Sequence, residues 1–154
     1  MMKDPINIKK RKDKKMASRP KLLIVDDEAD IAHTLASHFR FTGYETDIAS
    51  NGREALRKLA VESVEVVITD IKMPEMDGID LLREIKRLYP MTRVIVITGQ
   101  VTLDNLFAVF RHGADRCCFK PLTDLTELDA AVERAVDDLK TWQQKLKEVN
   151  RLKE

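Results

Sequence analysis

The sequence predicts an α/β protein with a doubly wound sheet of five parallel strands and five helices. Short apolar runs alternate five times with longer segments of helical periodicity, the pattern of a parallel sheet covered on both faces. The apolar runs are rich in β-branched residues, which suits strands buried on both sides. With 154 residues, 44% of them hydrophobic and 34% charged, the chain has the size and composition of one globular domain.

The predicted strands and helices follow one another along the chain. The strands are the runs 21–25, 44–48, 64–70, 93–97 and 115–119. Each of the first four helices has apolar residues three or four positions apart, and we expect these residues to be buried. They are Ile31, Leu35 and Phe39 in the first helix, Ala55, Leu56 and Leu59 in the second, Ile79, Leu82 and Ile85 in the third, and Leu106, Phe107 and Phe110 in the fourth. A last helix starts near residue 124 and runs to the end of the chain.

Polar residues follow four of the five strands, at the point where each strand ends. They are Asp26 and Asp27 after the first strand, Asp70 after the third, Thr98 after the fourth and Lys120 after the fifth. In open parallel sheets, ligands bind beyond the carboxyl ends of the strands, where the strand order reverses. A strand order of 2-1-3-4-5 places the first and third strands side by side. We therefore expect these residues to form one site.

The chemistry of this set indicates phosphoryl transfer. Three crowded carboxylates repel one another unless a cation lies between them, and Mg²⁺ binds carboxylate oxygens while bridging to phosphate. Thr98 has a hydroxyl donor, and Lys120 has a compact positive charge for an anionic oxygen. Positioning and charge neutralisation are the main parts of phosphoryl-transfer catalysis. Asp70 would be the nucleophile that becomes an acyl phosphate.

Four motifs together resemble the receiver domain of two-component response regulators. They are Ile24–Glu28 (IVDDE), Thr69–Gly78 (TDIKMPEMDG), Ile97–Gly99 (ITG) and Phe119–Pro121 (FKP), and the resemblance covers about residues 20–138. It implies a flavodoxin-like strand order of 2-1-3-4-5. It also implies that Asp70 accepts phosphate from a sensor histidine kinase. Asp27 and Asp70 would bind Mg²⁺ directly, Asp26 mainly through water, and the backbone carbonyl of Lys72 would be the third protein ligand.

The resemblance also implies how the site responds to phosphate. Thr98 and Lys120 would contact the phosphoryl oxygens, and the Lys120–Pro121 peptide bond would be cis. In the family, an aromatic ring three residues before the lysine turns inward when the threonine moves. That position is Cys117 in this chain. We therefore expect the output face to respond through other groups, such as Phe119 or the helix at 102–112.

The last helix is longer than a receiver domain needs. Its apolar residues alternate spacings of four and three, as in a coiled-coil seam: Leu128, Val132, Ala135, Leu139, Trp142, Leu146 and Val149. Beyond Asp138 we expect nothing in the chain to bury this seam. It favours a parallel coiled-coil homodimer, and a solvated extension that frays is the alternative. The predicted organisation is a basic tail at 1–20, a receiver domain at 21–138 and a coiled-coil extension at 139–154.

Charge and cysteine content indicate in which compartment the protein works and which classes of partner it binds. Residues 1–20 hold eight Lys or Arg and two Asp, a charge of +6, whereas the remainder is −5. We interpret the tail as a solvated, disordered segment, and we do not expect direct nucleic-acid binding. The chain has no apolar run long enough to span a membrane and no secretory segment. The adjacent Cys117 and Cys118 fit reduced thiols in the cytoplasm.

The leading hypothesis is a signalling switch controlled by phosphorylation, with an output domain or protein outside this chain. It is not an enzyme in the usual sense, although a receiver supports its own Mg²⁺-dependent phosphoryl transfer and slow autodephosphorylation. A stand-alone relay or phosphate-sink receiver is the alternative. A phosphohydrolase that forms an aspartyl phosphate would need an acid two residues after the nucleophile, where this chain has Lys72. The three histidines, His33, His38 and His112, are expected at the surface or at helix caps.

Overall fold

The computed structural model describes residues 19–100 and 102–153, and its centre is a five-stranded parallel sheet. The strands are β1 (Lys21–Val25), β2 (Glu45–Ala49), β3 (Val66–Asp70), β4 (Arg93–Thr98) and β5 (Arg116–Phe119). Their order is β2-β1-β3-β4-β5, and every neighbouring pair is parallel. The predicted fold class and strand order are therefore confirmed. The predicted basic tail, apart from its last two residues, lies outside the described residues.

Five helices connect or follow these strands. They are α1 (Ala29–Phe41), α2 (Gly52–Val61), α3 (Gly78–Leu88), α4 (Leu103–Arg111) and α5 (Thr126–Leu152). Three of these helices, α2, α3 and α4, have a side-chain N-cap. The cap residues Asn51, Asp77 and Thr102 each accept a hydrogen bond from the backbone N–H three residues later. These caps explain at which residues α2, α3 and α4 begin.

Alternating strand residues divide the core into two layers, one on each face of the sheet. Leu22, Ile24, Val66 and Ile68 point to the layer that α1 and α5 cover. The alternate residues of the same strands point to the layer covered mainly by α2 and α3. This period-two pattern follows from strand geometry. Both faces are buried, which leaves the carboxyl ends of the strands as the place where polar groups converge.

The buried face of α4 differs from the prediction. Phe110 is 83% exposed and Phe107 is 56% exposed, whereas Val109 is buried. The spacing of Leu106, Phe107 and Phe110 correctly indicates one apolar stripe, but periodicity alone does not say which way a stripe faces. In the structure the stripe lies on the solvent side of α4. An exposed stripe of this kind is typical of an interaction surface.

The C-terminal helix α5 continues as one helix from Thr126 to Leu152. Leu128, Val132 and Ala135 pack against the sheet, as the seam predicts. Leu139 is only 5% exposed, so the expectation that the chain leaves it unburied was wrong. Because α5 reaches one turn further along the domain than predicted, the unburied part of the seam begins at Trp142. The structure does not test the predicted coiled coil.

Two polar contacts connect elements at the sides of the sheet. His38 on α1 lies 2.6 Å from Asp129 on α5, measured from Nε2 to Oδ1, and it is half-buried. It is therefore neither a surface nor a cap residue, in contrast to the exposed His33 and the C-cap residue His112. At the amino end of β5, Asp115 accepts hydrogen bonds from Lys86, Arg93 and the backbone N–H of Val94. This cluster lies at the opposite edge from the predicted site and stabilises the packing of α3 on β4 and β5.

Candidate functional site

Three carboxylates lie together at the carboxyl edge of the sheet. Asp70 is the last residue of β3 and is 9% exposed. Asp26 follows β1 directly and is buried, whereas Asp27 is exposed. One ligand oxygen from each of the three lies within 4.8 Å of the others. The adjacency of β1 and β3, which the strand order creates, brings these residues together.

Lys120 connects two of the three carboxylates. Its ammonium donates to Asp70 Oδ2 at 2.9 Å and to Asp26 Oδ2 at 3.1 Å. Burial alone would lower the pKa of Lys120, but the hydrogen bonds to Asp70 and Asp26 outweigh burial, and the pKa is raised. The lysine is therefore held in its charged form. Its charge lies at Asp70 Oδ2.

Burial disfavours the ionised form of Asp26. Desolvation raises the pKa of its carboxyl, and the hydrogen bonds from the Glu28 N–H and from Lys120 only partly oppose this. The neighbouring Asp70 charge raises the pKa further. Three ionised carboxylates and a single ammonium leave the cluster with a net charge of −2. An additional positive charge at this edge would stabilise the ionised form of Asp26.

The position of the Asp70 carboxylate is fixed by the start of the following loop. Asp70 Oδ1 accepts a hydrogen bond from the N–H of Ile71 at 2.7 Å. The other oxygen, Oδ2, faces Lys120. One oxygen is therefore used for orientation, and the other is directed at the cationic side of the site. This division suits a carboxylate that reacts through one oxygen.

Gly78, the first residue of α3, approaches the backbone of Asp70 very closely. Its N–H donates to Ile71 O at 2.7 Å. A Cβ atom at this position would lie 1.9 Å from the carbonyl oxygen of Asp70. No residue with a side chain fits there without moving the Asp70 peptide. Gly78 therefore sets how closely α3 packs behind the acidic residue.

Thr98 and Lys72 complete the predicted set, but they are placed less directly. The carbonyl of Thr98 accepts a hydrogen bond from the N–H of Lys120 at 2.9 Å, which connects β4 to the lysine. The Thr98 hydroxyl accepts from the N–H of Gln100 at 3.0 Å and donates to the Gln100 carbonyl at 3.3 Å, so its hydrogen bonds stay within its own loop. Lys72 lies two residues beyond Asp70, with an exposed side chain. The Lys120–Pro121 peptide bond is cis, as the resemblance implies.

The donor set fits a small, hard dication. Mg²⁺ binds oxygen ligands at about 2.1 Å in octahedral geometry, so opposite ligands are about 4.2 Å apart. The three carboxylate oxygens, within 4.8 Å of one another, are close to that spacing. Their two uncompensated negative charges match the charge of the ion. Asp26, Asp27 and Asp70 are the side chains that could hold it.

Two glycines of this region have roles that the sequence analysis did not identify. They are Gly78, the first residue of α3, and Gly52, the first residue of α2. Gly52 contacts Met76, in the loop after β3, through a hydrogen bond from its N–H to the Met76 carbonyl at 3.3 Å. The only signal in the sequence is that both glycines occupy the first position of a helix, directly after a good N-cap residue.

Comparison with known proteins places these features in a family. The model of the response regulator receiver domain matches residues 22–133. Among curated relatives, the regulatory protein AtoC of Escherichia coli (strain K12) is 40% identical over 121 residues, which are 79% of this chain and 26% of that protein. The chain thus spans about a quarter of the length of the curated relatives it matches.

Solved structures agree with this assignment. A CheY-like receiver domain protein from Methanospirillum hungatei JF-1 superposes with a TM-score of 0.77 and is 31% identical, covering 80% of this chain and 98% of that one. The response regulator protein TrrA from Thermotoga maritima, solved in complex with Mg²⁺–BeF, gives a TM-score of 0.69 and 30% identity, covering 75% and 98%. Within the parts of the chain that the structure describes, no helix combines the length and hydropathy needed to cross a bilayer.

Proposed function

Because the chain belongs to the response regulator receiver domain family, we propose that Asp70 receives a phosphoryl group from the phosphohistidine of a sensor histidine kinase. The observation that carries this proposal is the convergence of two acids and one ammonium on Asp70. Oxygens of Asp26 and Asp27 lie within 4.8 Å of an Asp70 oxygen, and Lys120 donates to Asp70 Oδ2 at 2.9 Å. A signalling switch uses such a site to hold a transient negative group.

The residues divide the work of phosphoryl transfer between them. The N–H of Ile71 orients the Asp70 carboxylate, and Asp70 Oδ2 attacks phosphorus. The P–N bond breaks, and its electron pair returns to the imidazole nitrogen, which takes up a proton. Lys120 neutralises charge on the phosphoryl oxygens, and Thr98 donates its hydroxyl to them in place of the Gln100 carbonyl. A bound Mg²⁺, held by Asp27, Asp70 and the Lys72 carbonyl, with Asp26 acting mainly through water, would neutralise further charge.

Metal dependence tests this function directly. The wild-type protein should be phosphorylated by acetyl phosphate, a small acyl phosphate donor, in the presence of Mg²⁺. Labelling should fall at least about tenfold when EDTA removes the metal, since two of the three carboxylate charges then repel the incoming phosphate. Intact mass spectrometry measures the phosphorylated fraction. Labelling that is equally fast in EDTA would contradict the proposed role of the acidic cluster.

The output of the switch is proposed to lie outside this chain and to depend on a dimer. AtoC, a regulatory protein by name, is about four times as long as the matched region. We assign residues 21–138 to the receiver unit and residues 139–154 to a parallel coiled coil. Three residues of the α5 seam support this assignment, since Trp142, Leu146 and Val149 are each about half exposed in the single chain. A second copy of α5 would bury them.

The size of this seam predicts a weak dimer. Full burial of a large apolar side chain contributes about 1.5–3 kcal/mol, so half-burial of three residues on each of two helices contributes roughly 4–9 kcal/mol. Association costs about 4–15 kcal/mol. The two estimates nearly cancel, so the seam alone would hold a dimer only at high protein concentration. We therefore expect phosphorylation or the output region to decide the dimer population.

A charge placed in the seam should dissociate the dimer. Leu146→Glu puts two carboxylates opposite each other in the coiled coil, and we expect the dimer dissociation constant to rise at least about 100-fold. Sedimentation equilibrium over a concentration series, with and without Mg²⁺ and fluoroberyllate, measures this constant. Lys147→Glu is the matched control because it changes charge one residue away, outside the seam. Equal dimerisation of Leu146→Glu and the wild type would contradict the coiled-coil assignment.

A further inference from the structure

The loop between β3 and α3, residues 71–77, contacts an element that contributes no residue to the acidic cluster. Gly52, the first residue of α2, is buried, and its N–H donates to the carbonyl of Met76 at 3.3 Å. The first N–H groups of a helix have no partner within the helix. The loop carbonyl therefore satisfies a donor of α2, and α2 in turn fixes the position of Met76.

The approach between these two residues is closer than a side chain on residue 52 would permit. A Cβ on Gly52 would lie 2.7 Å from Met76 Cγ and 3.0 Å from both Met76 Cβ and the Met76 carbonyl oxygen. Two of these three atoms belong to the root of the side chain or to the backbone, and they cannot rotate away. A side chain on residue 52 would require Met76 Cγ to rotate and would press the Met76 Cβ and carbonyl oxygen, and with them the loop, away by a few tenths of an ångström.

Helix α2 is anchored by contacts other than the one with Met76. Its start is also held by bonds that do not involve Met76, because Asn51 accepts from the N–H of Glu54 and Glu54 accepts from the N–H of Ser50. Ala55 and Leu59 pack in the second core layer. Since α2 is anchored in this way, a collision at residue 52 would displace the loop and not the helix.

Two side chains of the loop, Ile71 and Met73, are buried in the second core layer, and the loop backbone is attached near its two ends. Ile71 donates to Asp70 Oδ1 and accepts from the N–H of Gly78. Between these ends, Glu75 has a φ of 65°, and the N–H of Met76 donates to Pro74 O at 2.8 Å. A tight turn therefore projects Met76 toward α2. Among the described residues, the bond from the Gly52 N–H is the one backbone hydrogen bond that connects residues 74–76 to another element.

We propose that Gly52 is a positioning residue for phosphoryl transfer, because its contact with Met76 sets the position of the loop that carries the Lys72 carbonyl. This inference rests on the function proposed above, in which that carbonyl binds Mg²⁺. Gly52 itself touches neither the metal nor the phosphate. It acts through the loop, in the way that residues behind a metal ligand orient it.

The test is the Mg²⁺ affinity of the Gly52→Ala variant, measured by calorimetric titration of the full chain. We expect the dissociation constant to rise about tenfold, the size of effect seen when a group that orients a metal ligand is lost. Alanine is a better helix former than glycine, so the substitution does not weaken α2 itself. Labelling by acetyl phosphate should be slow at low Mg²⁺ and recover at saturating Mg²⁺, which a general loss of folded protein would not produce.

A matched control separates positioning from stability. Leu59→Ala removes a buried side chain from the same helix, seven residues along α2 from Gly52, so it should lower the unfolding midpoint and leave Mg²⁺ affinity unchanged. If Gly52→Ala does not fold, Gly52→Ala/Met76→Ala, which lacks the 2.7 Å contact, is compared with Met76→Ala alone. The double variant should still bind Mg²⁺ more weakly. Equal affinities in either comparison would overturn the inference.

Failure of the inference is distinguishable from failure of the proposed function. If the wild type binds Mg²⁺ and is labelled, but Gly52→Ala behaves like the wild type, only the positioning role is wrong. If the wild type is not labelled by any acyl phosphate donor, the proposed function is wrong. An equal loss of Mg²⁺ affinity in Leu59→Ala and Gly52→Ala would assign the effect to the stability of α2, and it too would overturn the positioning role.

Discussion

Replacing Asp70 by asparagine should abolish phosphorylation of the protein, with at least about a thousandfold loss of labelling rate. The amide lacks the anionic oxygen that attacks phosphorus. It keeps the shape of the side chain, and its oxygen can still accept the hydrogen bond from the Ile71 N–H that orients the carboxylate at 2.7 Å. The measurement is the phosphorylated fraction over time with acetyl phosphate and Mg²⁺, read by intact mass spectrometry.

Folding of this variant should be at least as stable as that of the wild type. The substitution removes one of three crowded carboxylates, and the remaining Asp26 keeps its hydrogen bond from Lys120 at 3.1 Å. A loss of labelling can then be attributed to chemistry and not to unfolding. Asp104→Asn, in the exposed first turn of α4, is the matched control and should be labelled at the wild-type rate. Undiminished labelling of Asp70→Asn would refute the assignment of the acceptor.

The convergence at this site could be predicted because the rules of parallel sheets are topological. Asp70 and Thr98 end a strand, Asp26 and Lys120 directly follow one, and the carboxyl ends of parallel strands share one edge. The structure confirms the strand order, and the hydrogen bonds of Lys120 to Asp26 and Asp70 follow from it. The chemical roles of these residues are predictions that the labelling experiments test.

Other features depend on which way the apolar face of a helix points, and a periodic sequence pattern does not give that direction. The α4 stripe was identified from its spacing, yet Phe107 and Phe110 face solvent and Val109 faces the sheet. Apolar residues three or four positions apart form one face of a helix, and their spacing is the same whether that face lies toward the sheet or toward solvent. For α5, the pattern does not show how far along the helix the rest of the domain extends. Only the structure shows that the domain is long enough to bury Leu139 but not Trp142.

Close backbone approaches were also outside the reach of sequence reasoning. Gly52 and Gly78 each stand after an N-cap residue, and that local context explains them without any distant contact. Their partners, Met76 and Asp70, are specified by the three-dimensional path of the loop after β3. The local sequence therefore explains why a helix begins at each glycine, whereas the fold explains why no other residue fits there.

Gly78→Ala should destabilise the protein by about 3 kcal/mol or more, at the upper end of the cost of overpacking. The added Cβ would lie 1.9 Å from the carbonyl oxygen of Asp70 and 2.8 Å from its carbonyl carbon, and both atoms belong to the backbone of a central strand. The higher helix propensity of alanine returns at most about 1 kcal/mol. Urea unfolding followed by circular dichroism measures the difference in free energy.

The same substitution should also slow labelling of the molecules that remain folded, because relief of the collision moves the peptide that carries the acceptor. Gly99→Ala is the control for stability, since a Cβ there would meet Lys120 Cβ at an ordinary 3.7 Å. Its free energy of unfolding should change by less than about 0.5 kcal/mol. Equal unfolding midpoints for Gly78→Ala and Gly99→Ala would mean that α3 can withdraw from β3 at no cost. The close packing behind Asp70 would then have no part in holding the site together.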